Sequence, residues 1–128
     1  MKYKITETSK IVKGVVLYQI IANETFGGVQ AGELGGWVES ERNLSQEGTC
    51  WISDNAQVSD NARVSDNARV SDNARVSDKA RVSDNARVYD NARASGNARA
   101  SGNARASGND QISGNDQISG NDHVYDGD

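Results

Sequence analysis

The chain has 128 residues, a formal net charge of -4 and a pI near 4.9. Only 35% of its residues are hydrophobic and 5% aromatic, mean hydropathy is -0.73, and proline is absent. So little large apolar surface excludes an ordinary globular core, and the acidic balance excludes a generally basic nucleic-acid binder. Cys50 has no cysteine partner in the chain, so nothing demands an oxidising compartment. The opening MKYKITETSK has no secretory apolar core, and the most apolar stretch, residues 11–22, is short and interrupted by Lys13. No membrane span is expected, and a cytoplasmic location is.

In chain order, residues 3–6 and 15–22 read as strands, with Lys13-Gly14 a hairpin turn between them and Phe26-Gly27-Gly28 a loop. Residues 1–33 are therefore expected to form a small β cap. From Leu34 a six-residue frame begins. The units 34–39, 40–45 and 46–51 would make a degenerate first coil, with Leu34 at position 1 and Val38, Leu44 and Cys50 at position 5. In that frame Cys50 is a small core residue, not a nucleophile.

From Ile52 onward the sixes are regular, and the commonest unit is Val-Ser-Asp-Asn-Ala-Arg. An α-helix turns about 100° per residue, so valines six apart would scatter around it with no stripe to bury. A strand over Ala-Arg-Val-Ser puts Ala and Val on one side and Arg and Ser on the other. Asp-Asn then makes a corner, and Asn is expected to take the left-handed conformation there. Three strands and three corners close a triangular β-solenoid of about eighteen residues per coil, with solenoid residues 34–128 following the cap. Each inward valine contributes roughly 1.5–3 kcal/mol when buried. Stacking sets Asp above Asp, a repulsion that neighbouring arginines are expected to offset.

This pattern (aliphatic, small, two free positions, small, free) resembles the left-handed parallel β-helix of hexapeptide-repeat proteins, and the resemblance alone implies the hand. The run GELGGWVES at 32–40, followed by NLSQEG at 43–48 and Cys50-Trp51, resembles the N-terminal signature of bacterial and prophage-borne hexapeptide-repeat proteins, some of them acyltransferase-like. That resemblance implies fold and provenance more than activity. Hexapeptide acyltransferases use a histidine base at a trimer interface and loops that build the acyl-donor pocket. Here His123 is the sole histidine, sits where other units carry Arg, and is expected to point outward; no insertion breaks the sixes after Ile52. A zinc-dependent carbonic anhydrase on the same fold needs several histidines, which this chain lacks. The Ser and Arg rows do not suit ice binding, which uses flat threonine rows.

Two features near the C-terminal end stand out. The units 106–111, 112–117 and 118–123 carry Asp110, Asp116 and Asp122 at position 5, pointing toward the axis from three sides. They read as an end cap of an acidic coil spanning 106–128, with a cation held by the three carboxylates as the sharper alternative. Below them, Gly replaces Asp and leaves Arg93, Arg99 and Arg105 as a basic girdle, on a coil thinned by Ala94, Ala100 and Ala106. The girdle with Asp110, Asp116, Asp122, His123, Tyr125, Asp126 and Asp128 forms the candidate partner-binding set. The sequence thus points to a non-enzymatic scaffold with no cofactor, binding a protein or a second copy of itself rather than nucleic acid. Its N-terminal resemblance suggests a phage or prophage setting, with inhibition of a host defence factor as one role. An acyltransferase-like homo-oligomeric enzyme is the second reading.

Overall fold

The computed structural model describes residues 1–120 together with the strand His123–Val124. Its architecture follows from one repeated local event. In each regular repeat the amide of position 5 donates to the position-2 carbonyl three residues earlier, as from Ala74 to Ser71 at 3.2 Å, and closes a four-residue corner. Two-residue strands such as Arg69–Val70, Arg75–Val76 and Arg81–Val82 separate the corners. Each strand pairs in parallel with the one eighteen positions on: Arg69 with Arg87 and Val70 with Val88, then Arg87 with Arg105 and Val88 with Ala106. Three flat faces result. Face 1 carries Gln57–Val58, Arg75–Val76, Arg93–Ala94 and Gln111–Ile112. Face 2 carries Trp51–Ile52, Arg69–Val70, Arg87–Val88, Arg105–Ala106 and His123–Val124. Face 3 carries Arg63–Val64, Arg81–Val82, Arg99–Ala100 and Gln117–Ile118. The chain is an all-β triangular β-solenoid of stacked parallel coils.

The inside is lined as the alternation requires. Val58, Val70, Val76, Val82 and Val88 are fully buried, and so are the position-5 alanines from Ala56 to Ala104. Ala94, Ala100 and Ala106 are buried too, and Ile112 and Ile118 stack directly above the first two, restoring apolar volume in the next coil.

The corners differ from expectation in two respects. The left-handed residue is the Asp of position 3, not the Asn of position 4: Asp54, Asp60, Asp66, Asp72, Asp78, Asp84 and Asp90 all have φ between 55° and 59°. Where Asp is lost, Gly96, Gly102, Gly108, Gly114 and Gly120 keep the same conformation with φ of 59–64°. Asp and Gly share this position because both tolerate it. The second difference is how the stacked carboxylates are accommodated. Each Asp Oδ2 accepts the backbone N–H of the position-3 residue one coil on: Asp54 from Asp72 at 3.3 Å, Asp66 from Asp84 at 3.1 Å, Asp78 from Gly96 at 2.9 Å. No arginine of the repeats makes an ion pair within 4.0 Å among the described residues, where Arg42–Glu39 at 3.6 Å is the ion pair found. The carboxylate reaches along the stack to an amide, while the arginine stands out from the middle of a face. The Asn side chains contribute a partial ladder, Asn55 to Asn73 at 3.4 Å and Asn97 to Asn115 at 3.2 Å.

The first coil departs from the strict sixes. Trp37 pairs with Gln57 and Val38 with Val58, a separation of twenty, and Leu44 bridges Val64 at the same offset. Trp51 pairs with Arg69, back at eighteen. Two extra residues therefore sit in the corner between Leu44 and Cys50. Val38 and Leu44 fill position 1 rather than position 5, and Leu34 is 56% exposed instead of lining the core. Cys50 keeps its expected place and is fully buried.

The extra residues build a socket for the N-terminal segment. Strand β1 (Tyr3–Val12) runs longer than expected and pairs antiparallel with β2 (Val15–Ala22) through the turn at Lys13 (φ 50°) and Gly14 (φ 83°). Strand β3 (Leu34–Val38) pairs antiparallel with β2 and in parallel with Gln57–Val58, so the hairpin continues the sheet of face 1. Gln46, in the enlarged corner, bonds both the N–H and the carbonyl of Tyr3 at 3.2 Å. The buried Lys2 ammonium donates to the carbonyls of Glu47, Gly48 and Cys50 and to Cys50 Sγ at 3.3 Å. Tyr3, Trp51 and Phe26 meet edge to face over the first coil, and Tyr3 donates its hydroxyl to Leu44 O at 2.6 Å.

Two outcomes test this packing. A Cβ on Gly48 would lie 2.3 Å from Asp66 O, whereas one on Gly14, also at positive φ, would meet nothing within 4 Å. Gly48→Ala should therefore destabilise by more than about 2 kcal/mol and clearly exceed Gly14→Ala in thermal melts; equal costs would contradict the corner geometry. Burial pushes the Cys50 thiol up from its ordinary value of 9.0, against the opposing pull of the Lys2 ammonium. A raised folded value means stability is intact below the unfolded thiol value and lost as pH rises above it. The melting temperature should hold up to about pH 8.5 and fall between about pH 9 and about pH 10 in the native chain, and change less over that window in Cys50→Ala. A level native profile across that window would contradict the buried thiol.

Candidate functional site

The same strand geometry places every outward arginine. Position 6 points away from the valine side, so stacking turns the repeat into vertical arginine columns. Face 2 carries Arg69, Arg87 and Arg105; face 3 carries Arg63, Arg81 and Arg99; face 1 carries Arg75 and Arg93, bounded by Gln57 and Gln111. Strands stack about 4.8 Å apart, so each column is a like-charge ladder of that period. Salt screens such exposed charges, and long side chains splay, which makes the ladder tolerable.

Arg93, Arg99 and Arg105 do share one coil, but on three different faces. The structure does not bring them together; it groups each with the arginines beneath it. The backbone of His123 pairs in register with that of Arg105. Asp122, Tyr125, Asp126 and Asp128 lie outside the described residues.

Asp110 is buried, and its Oδ2 accepts the Ser107 N–H at 3.0 Å. Asp116 is exposed, and its Oδ2 accepts the Ser113 N–H at 3.4 Å. In lower coils the equivalent serine amide donates to a carbonyl of the following coil, as Ser95 does to Ile112 at 2.9 Å. A carboxylate at position 5 thus folds back on its own turn, the geometry of a capping group. Among the described residues no three His, Cys, Asp or Glu side chains gather as a metal-binding cluster.

Face 2 has features that the others lack. Position 2 is serine in most repeats, but Tyr89 occupies it here, half-buried between the arginine column and the corner. A groove runs along this face past Arg69, Arg87, Tyr89 and Arg105. The cap loop closes one end, where the Arg69 guanidinium donates to Gly27 O. Face 3 presents a smaller groove beside Arg42, Arg63, Arg81 and Arg99, with Ser83 in place of the tyrosine. Burial, not proximity to a base, governs the buried thiol and phenol: Tyr3 is pushed well above the usual phenol range by burial first, then by Glu41 and Cys50. Lys10 lies over the Trp37 ring at 4.2 Å and is pushed down by burial and by Arg75. The sequence reading overlooked the columns and Tyr89. The signal for both was present: the eighteen-residue period applied to position 6, and one aromatic break in the serine row.

Comparison with known proteins agrees with this architecture. The model of the YdcK beta solenoid repeat matches residues 56–69, 68–83 and 80–96. A relative from Escherichia coli (strain K12), named as an uncharacterized acetyltransferase, YdcK, is 43% identical over 61 residues, covering 41% of this chain. The match takes in 19% of that relative, so this chain spans about a fifth of its length. No helix among the described residues is long and apolar enough to cross a membrane. The chain is a β-solenoid built on a six-residue period, and its central coils are similar to the YdcK solenoid repeat.

Proposed function

We propose that the chain is a non-enzymatic interaction scaffold that engages a protein partner through its arginine-bearing faces. One observation carries the reading: three parallel arginine columns stand outward with no carboxylate closing an ion pair on them among the described residues. Unneutralised guanidiniums on a rigid lattice suit recognition of a carboxylate-rich surface, because little side-chain order remains to be imposed on the backbone that carries them. The N-terminal signature adds a phage or prophage origin, action in the host cytoplasm and inhibition of a host defence factor to the same reading.

The name of the Escherichia coli relative favours a second reading, an acetyltransferase-like homo-oligomer with His123 as base. The two readings separate cleanly. Under the scaffold reading, immobilised protein captures a partner at low salt and loses it when Arg69, Arg87 and Arg105 are replaced by serine, while calorimetry with acetyl-CoA shows no heat of binding. Donor binding, with turnover abolished in His123→Ala, would instead establish the enzyme.

A further inference from the structure

Every coil that raises an arginine on a face also raises the position-3 residue of the adjoining corner, three residues later. The arginine and aspartate ladders therefore share one axial period, about 4.8 Å. Arg69 is followed by Asp72 and Arg87 by Asp90, both on the corner leading from face 2 to face 1. Within one chain these charges do not meet, since Asp72 Oδ2 is turned to the amide of Asp90 and Asp90 Oδ2 to that of Gly108. Each carboxylate still has a second oxygen on an exposed residue, and Arg87 is exposed.

We propose that face 2 is a self-association surface on which a second copy of the chain packs about a two-fold axis parallel to the stack. Such an axis reverses the strand direction across the contact while keeping the coils level. Setting Arg87 opposite Asp90 of the second copy then sets Asp90 opposite its Arg87, while Arg69 stays with the cap loop at the end of the groove. The axis falls between positions 88 and 89, so the two Tyr89 side chains flank it. A surface of this kind is isologous, with an aromatic centre flanked by two symmetry-related charge pairs. Face 3 offers the same charges, Arg63 with Asp66 and Arg81 with Asp84, but Ser83 where face 2 has Tyr89. Only face 2 supplies the aromatic centre, which commits the contact to it. This deepens the scaffold reading by naming a second copy as one partner of those faces.

The test is sedimentation equilibrium of the full chain, with a melting curve for every variant. A dimer is expected at about 50 mM salt, weakening by at least about tenfold in Kd at about 500 mM. Arg87→Glu should give a monomer, and Arg87→Glu combined with Asp90→Lys should restore the dimer. Arg81→Glu on face 3 should leave it intact, and Tyr89→Ser should weaken it. If Asp90→Lys does not fold, Asp90→Asn, which keeps a residue tolerant of the left-handed corner, should weaken the dimer instead. A native chain that stays monomeric at low salt overturns the proposal. So does a dimer indifferent to Arg87→Glu, or one broken equally by Arg81→Glu. A monomer that still captures a partner through its arginine columns overturns this inference alone and leaves the scaffold reading standing.

Discussion

The structure depends on one repeated hydrogen bond, from an amide in one coil to a carbonyl in the next. Gln57 to Ala74, Arg63 to Ala80 and Arg69 to Ala86, each at 3.0 Å, are successive instances around one coil. A two-residue strand has almost no stability alone, because ordering its backbone costs about 1–2 kcal/mol per residue. It persists because each strand is held from above and below, so order propagates from coil to coil. The corner aspartate extends that ladder beyond the strands. Its left-handed backbone turns the chain, and its carboxylate takes the amide of the residue that makes the same turn one coil on, a charge-assisted bond. One side chain thereby shapes the corner and joins it to its neighbour.

The ends of such a ladder need separate solutions. At the N-terminal side the answer is composite: the hairpin continues face 1, three aromatic rings close over the first coil, and Lys2 fills a nest of carbonyls left by the enlarged corner. A buried ammonium is costly unless it is fully hydrogen-bonded, and here four acceptors surround it. Farther along, Asp110 and Asp116 bond back to their own turns. The lattice of charge on the faces follows from the middle of the ladder and owes nothing to either solution.

Much of this was legible in the residues. A period of six with Val and Ala on the same side leaves a strand-and-corner coil as the one structure that buries both, and Cys50 fell into that frame at the right place. Lys13-Gly14 announced its turn. What was hidden depends on contacts across coils. Asn and Asp both tolerate the left-handed region, so the Asp-Asn pair alone could not say which takes it; the glycines at position 3 of the later repeats carried that signal. The two extra residues before Cys50 were invisible because Leu44 suits position 1 as well as position 5. Nothing in the sequence marks Lys2 for burial, since its carbonyl nest exists only after the corner has folded. For the candidate face, the individual arginines were legible, but grouping them by coil rather than by column hid the ladders and the place of Tyr89 among them.

Amide hydrogen exchange resolved residue by residue tests the central ladder most directly. The account predicts that the backbone amides of Asp72, Asp78, Asp84 and Asp90, on exposed corners, exchange as slowly as those of Arg69, Arg75 and Arg81 in the strands, and that Asp72→Ala frees the amide of Asp90 while leaving the strand amides protected. Corner amides exchanging at the rate of an unstructured peptide, beside protected strands, would contradict it.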